Sequence, residues 1–250
     1  MINDIRTMIW KEWSELQAML FARDNLRGGI LTLFLLIAAF SIFEPWRIGL
    51  SWIGSPIMLF SFILLMPLAT VGTIIPDSFA GERERLTLEP LLATPLSDRA
   101  ILFGKISAAV GYGWGITLIS MGIGLLTTNF VHAYTGLLLY PADVAIGTIG
   151  FSLLVSLFVA SAGALVSLHA PTVRQAQQSL GLIVLIPLVV PAFFIGPVSP
   201  LEWKLGLTQT LATIGMMKIA LALAAILVIL DIALILVTLA RFHRTQLLLN

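Results

Sequence analysis

Residues 77–105 read DSFAGERERLTLEPLLATPLSDRAILFGK and carry Asp77, Glu82, Arg83, Glu84, Arg85, Glu89, Asp98, Arg99 and Lys105. The flanks are almost free of charge: Ile48 to Pro76 holds none, and Ile106 to Thr128 holds none. Each flank is long enough to cross the roughly 30 Å of hydrocarbon in a bilayer. A charged island between two such runs must stay in water, so residues 77–97 read as a loop at a membrane surface.

Working outward, 58% of the chain is hydrophobic and 11% charged, with mean hydropathy +1.01. A soluble domain would be about 25% charged. The fold class is therefore an all-α membrane protein. The net charge of +1 and the absence of a Lys/Arg cluster argue against nucleic acid as a partner. There is no cysteine, which excludes disulfides, thiolate metal sites and cysteine nucleophiles.

Residues 1–27 form an amphipathic segment. Ile2, Ile5, Ile9, Trp13, Leu16 and Leu20 fall at helical spacing on one face, and Asp4, Thr7, Lys11, Ser14 and Glu15 on the other. This predicts an interfacial helix lying along the membrane surface, either as a simple anchor or as a helix that also touches a partner, with Ile9, Trp13 and Leu16 as its apolar contacts. Six spans follow: Gly28 to Phe43, Ile48 to Pro76, Ile106 to Thr128, Val144 to Leu168, Ala176 to Ile195, and Ile219 to Ala240. Glu44-Pro45-Trp46-Arg47 is the expected turn after the first. The third is expected to begin well before Ile106, because Ser97 is a good N-cap and Asp98 suits the positive end of a helix dipole. Pro187 and Pro191 are expected to interrupt the fifth. Residues 196–218 are too polar to span and too apolar for a free loop.

Six spans leave both termini on one side. Eleven of the fourteen Lys and Arg residues then share that side, and Arg47, Lys204 and Lys218 lie opposite. The positive-inside rule makes the richer side, with the island and both termini, cytoplasmic.

The island can form a short helix, with Glu82, Arg83, Glu84, Arg85 and Glu89 on a charged side and Leu88, Leu91 and Leu92 on an apolar one. Read without further context, it is either a solvated connector or a contact ridge. The run Gly81-Glu82-Arg83-Glu84-Arg85-Leu86-Thr87-Leu88-Glu89, continuing through Leu91-Leu92-Ala93-Thr94-Pro95-Leu96-Ser97 to Phe103-Gly104-Lys105, resembles the loop between spans two and three of type 2 ABC exporter permeases. About thirty residues carry the resemblance closely; the rest of the chain shares the layout. Leu86 stands where that family commonly has Gly, and Pro90 where it has an aliphatic residue.

The resemblance implies a permease subunit of an ATP-driven exporter. Two ATP-binding cassette subunits, with ATP and Mg bound to them and no cofactor in this chain, would press on this loop as a coupling helix. It further implies a second copy or paralogue of the permease, membrane lipid around it, residues 196–218 as an extracytoplasmic re-entrant segment, and a prokaryotic-type cytoplasmic (inner) membrane. The chain itself offers no ATPase: the one Gly-Lys followed closely by Ser, at Gly104-Lys105-Ile106-Ser107, has Arg99 where a phosphate-cradling loop needs Gly. An integral membrane enzyme acting on lipid is an alternative, as is an ABC-type subunit for mechanotransmission or lipid extraction without a continuous path.

Three further features stand out. Asp231 sits near the middle of the sixth span, where an ionisable group is a default functional candidate or a carboxyl that pins helices together. Gly111 and Gly115 share a face of the third span and suit close helix packing. His132, His169 and His243 are scattered without metal-ligand spacing.

Overall fold

The structure is a computed structural model that describes residues 2–21, 29–87, 90–91, 93–132, 136–195 and 215–242. All regular structure among them is helical. Helix α1 is Ile2–Phe21. Helix α2 runs Gly29–Ile37, passes through a π-helical stretch Ala38–Phe43, and ends as Glu44–Ile48. Helix α3 spans Pro56–Glu84 with π-helical stretches at Ser61–Leu65 and Asp77–Gly81. Then come α4 (Asp98–Val131), α5 (Ala142–Ser167), α6 (Val173–Ile195) and α7 (Met216–Arg241).

Two of the three described π-helical stretches have a local cause. Pro45 and Pro67 lack the N–H that would bond the carbonyl four residues back, at Ser41 and Ile63, and their rings crowd it. Both carbonyls lie inside a π-helical stretch, where the wider turn absorbs the mismatch.

Five helices among the described residues are long and apolar enough to cross a membrane: Leu31–Trp52, Pro56–Glu84, Asp98–Val131, Ala142–Ser167 and Met217–Arg241. The expected fifth span falls on α6, a 23-residue helix whose backbone continues unbroken through Pro187 and Pro191. The expected turn at Glu44–Arg47 is instead the end of α2. There Pro45 lies within the continuous helix, its missing donor absorbed by the π-helical stretch before it, and Arg47 pairs with Glu44 at 2.7 Å. The chain reverses further on, through a 3₁₀ turn at Gly49–Trp52 and two glycines at positive φ, Gly49 (73°) and Gly54 (76°). The start of α4 is as expected: the Ser97 hydroxyl accepts the Ala100 N–H at 3.3 Å. Residues 196–214 lie outside the described residues, and Met216–Lys218 already form the first turn of α7.

Helix α5 is central, packing on α3, α4, α6 and α7. One core joins Val71, Ile75 and Phe79 of α3, Ile101, Leu102 and Ile106 of α4, Val155 and Val159 of α5, and Leu180 and Val184 of α6, with Met8 of α1. A second, toward the α2–α3 turn, gathers Trp52, Phe62, Met66 and Met121. Lipid tails are as apolar as leucine, so close van der Waals approach holds such a bundle together. The approaches occur at glycines where a Cβ would collide with a neighbour: Gly113 against Val71 and Thr70, Gly124 against Trp52, and Gly163 against Ile75. Several buried hydroxyls are satisfied within their own helices, as in Thr117 to Gly113 O, Thr128 to Gly124 O, Ser156 to Ser152 O and Ser167 to Gly163 O, as a bilayer favours, whereas those of Ser41, Ser120 and Thr148 have no partner among the described residues.

Candidate functional site

The charged island folds back onto its own subunit. Helix α3 ends in the π-helical stretch Asp77–Gly81, and Glu82 follows it facing α1 and α4. Gly81 leaves room for the Asp77 carboxylate, which a Cβ would meet at 2.6 Å and push aside. At the start of α4, Gly104 lets the Met8 side chain of α1 lie directly on the helix. Helices α1, α3 and α4 meet around Lys105.

Lys105 is 1% exposed. Its Nζ donates to Glu12 Oε1 at 2.9 Å, to the Ser78 carbonyl at 2.6 Å and approaches Glu82 Oε1 at 2.9 Å. It also sits 5.3 Å from the centre of the Phe79 ring, a favourable cation–π distance. Lys11 Nζ reaches Glu82 Oε1 at 2.6 Å, Glu15 Oε2 at 3.0 Å and Glu12 Oε1 at 3.2 Å. Glu12 and Glu82 are both buried, and Glu82 Oε2 has no hydrogen-bond partner among the described residues. Two ammonium groups thus balance two buried carboxylates, with half-exposed Glu15 at the rim.

Burial works against the Lys11 charge, but Glu12, Glu82 and Glu15 outweigh it and hold the ammonium well above the ordinary lysine range. Oxygens of Glu12, Glu15 and Glu82 lie within 4.8 Å of one another, a grouping able to hold a cation. Lys11 Nζ already contacts all three.

The rest of the Glu-Arg-Glu-Arg run is also engaged inside the chain. Arg83 donates to the carbonyls of Leu168 and Ala170 at 3.0 and 3.1 Å, capping the end of α5. Glu84 accepts the N–H of Val173 at 2.8 Å, placing a carboxylate at the positive end of α6. Arg85 forms a two-pronged pair with Asp77, at 2.9 and 3.3 Å. Glu84 and Arg85 remain exposed.

Leu86 explains its own oddity: its φ is +57°, the left-handed conformation in which glycine is favoured. The Leu86 N–H bonds Arg83 O and the Thr87 N–H bonds Glu82 O, a complete Schellman closure of α3. Beyond it, the Leu91 N–H bonds Thr87 O, so Pro90 lies within the first turn of a new helical segment, where its missing donor costs nothing. Leu91 packs against the main core. Leu88, Glu89 and Leu92 lie outside the described residues.

On α1, the residues that go down are Met8 and Glu12, while Ile9 and Leu16 are half-buried and Trp13 is 39% exposed. Helix α1 thus turns Met8 and Glu12 to the protein, where Glu12 meets the buried Lys105 ammonium. No sequence signal separates Glu12 from its exposed neighbour Glu15. Gly111 and Gly115 have nothing within 4 Å of a built Cβ, so the face they share is open and the glycine between them, Gly113, makes the helix contact. Asp231 is 2% exposed, on the side of α7 that packs on α5. Neither of its carboxyl oxygens has a partner among the described residues.

The profile of ABC-2 family transporter proteins matches residues 71–247, from within α3 to beyond α7. The chain belongs to the ABC-2 transporter family. The ABC transporter permease protein NatB of Bacillus subtilis (strain 168) is 29% identical over 166 residues, covering 61% of this chain and 42% of NatB. The chain therefore spans less than half the length of that relative. Glu82 and Lys105 of the buried cluster lie inside the family match, whereas Lys11 and Glu12 come from α1, ahead of it.

Proposed function

We propose that this chain is the permease subunit of an ATP-driven exporter, in which two separate ATP-binding cassette subunits, carrying ATP and Mg, close and push on the segment from Glu82 to Leu92. Six spans with both termini in the cytoplasm, a second copy or paralogue, and a prokaryotic cytoplasmic membrane complete the reading. The observation that carries it is the double engagement of the Glu82–Arg85 run. One side is locked to α1, α4, α5 and α6 through Lys11, Lys105, the Leu168 and Ala170 carbonyls and the Val173 N–H. The other presents Glu84, Arg85 and Leu86 to solvent. A push on the exposed side then reaches four helices at once, as conversion of closure into helix movement requires.

Cysteine is absent from the chain, so Leu86→Cys gives a single labelling site. In intact cells this thiol should be shielded from a membrane-impermeant maleimide, and in everted vesicles it should crosslink to an ATP-binding cassette subunit. Labelling from outside intact cells would refute the orientation. Absence of crosslinking, together with no stimulation of the cassette ATPase on co-purification, would refute the coupling role.

A further inference from the structure

The outward face of α1 carries a feature that the transporter reading does not use. Arg6, Thr7, Ile9, Trp10 and Trp13 line an open cleft of about 420 Å³. Arg6, Trp10 and Trp13 are spaced by four and three residues and so share one helical face, well round the helix from Met8 and Glu12. Trp10 is 72% exposed and Trp13 39%. Arg6 is exposed and has no ion pair or hydrogen bond among the described residues, unlike Lys11, which is held by three glutamates. The acids of α1 are elsewhere: Glu12 and Glu15 are taken by lysines, and Asp4, two residues from Arg6, lies on nearly the opposite side of the helix.

The cleft also has a fixed depth. Trp13 packs edge-on against Tyr112 of α4, with ring centroids 6.4 Å apart. Helix α4 has 34 residues, about 51 Å at 1.5 Å per residue, so it projects well beyond a hydrocarbon core about 30 Å thick. Lys105 lies within its charged end, and Tyr112 lies about two turns further in, toward the apolar stretch. Paired Trp and Tyr side chains at such a boundary are found at headgroup level.

We propose that this cleft is a binding site for the phosphate headgroup of an anionic phospholipid in the leaflet on the α1 side. The Arg6 guanidinium takes the phosphate with its forked donors, and the Trp10 and Trp13 indoles flank it with their apolar edges toward the acyl chains. An unpaired cation on the apolar, outward face of a surface helix is costly without an anion. Phosphate at headgroup depth supplies one. The site stands whether or not the chain exports cargo.

The test titrates the full-length chain in mixed micelles with phosphatidylglycerol or phosphatidylcholine and counts bound lipid by native mass spectrometry. The wild type should bind phosphatidylglycerol about fivefold more tightly, the effect of one basic residue at an anionic surface. Arg6→Gln should abolish the preference, Arg6→Lys should keep part of it, and Arg99→Gln, an exposed arginine outside the cleft, should leave it unchanged. Millimolar inorganic phosphate should not displace the lipid. A brominated phosphatidylglycerol should quench tryptophan emission more than brominated phosphatidylcholine, and Trp10→Phe should reduce that difference. Equal binding of the two lipids by the wild type, a preference that survives Arg6→Gln, or displacement by inorganic phosphate would each overturn the proposal, the last by assigning the site to free phosphate.

Discussion

Replacing Lys105 with Met removes one cation from a buried set in which two lysines balance Glu12 and Glu82. At an effective dielectric constant near 20, a contact of 2.9 Å is worth about 6 kcal/mol before desolvation. Desolvation of the ammonium, at several kcal/mol, offsets much of this. What the variant exposes is the leftover: two buried carboxylates, one of whose oxygens already lacks a partner, sharing Lys11 alone. Breaking a buried pair in this way costs about 3–5 kcal/mol, which for a chain of this size is a fall in apparent Tm of about 6–20 °C. Glu12→Met combined with Lys105→Met restores balance, leaving Glu82 with Lys11, and should cost about 2 kcal/mol less than the sum of the two single changes. Scanning fluorimetry on tryptophan emission measures this in detergent, and limited proteolysis should release α1 first from the single variant. A Lys105→Met protein that melts within a degree or two of wild type, or a double variant worse than the sum, would refute the charge-balance argument.

Leu86→Gly relieves a left-handed residue at a helix end and should raise the apparent Tm by the equivalent of about 1 kcal/mol, read by the same melting curve. Gly113→Ala should cost about 1–3 kcal/mol, because its Cβ would collide with Val71 and Thr70, whereas Gly111→Ala and Gly115→Ala should be silent in the isolated subunit. Asp231→Asn should leave folding and melting essentially unchanged; a loss of transport in proteoliposomes at normal ATPase rate would then mark Asp231 as part of the cargo path. Because the folded-state Lys11 ammonium is held above the ordinary value of 10.5, its stabilising contribution is complete below that pH and is lost only as pH climbs beyond it. Protease protection of α1 should accordingly stay flat from pH 7 to about 9.5, as judged by the rate of α1 cleavage.

Much of the architecture was written in hydropathy and caps. The start of α4 was legible because Ser97 bonds the backbone three residues on, a purely local device. The α2–α3 reversal was misplaced at Glu44–Arg47 because charge suggests water, but Glu44 and Arg47 satisfy each other on a helix and the true punctuation is Gly49 and Gly54. On α4, spacing drew attention to Gly111 with Gly115, whereas Gly113 makes the contact with α3. In a helix that is apolar all round, only the packing of α3 chooses between them. The island was recognised correctly as charged, yet its inward grip was hidden, since Glu82 finds its lysines 71 residues before it and on the next helix. Leu86 was visible only as a departure from the resembled family, and its backbone angle supplies the reason.

The Glu12–Lys105 contact joins residues 93 positions apart. At ribosomal speeds of about 5–20 residues per second, α1 must wait roughly 5–19 s after its own synthesis before its partner exists. For that interval its acidic side has no buried lysine to meet. Helix α1 completes its packing only once the start of α4 has been made, so Glu12 and Lys105 variants should surface first as defects in biogenesis.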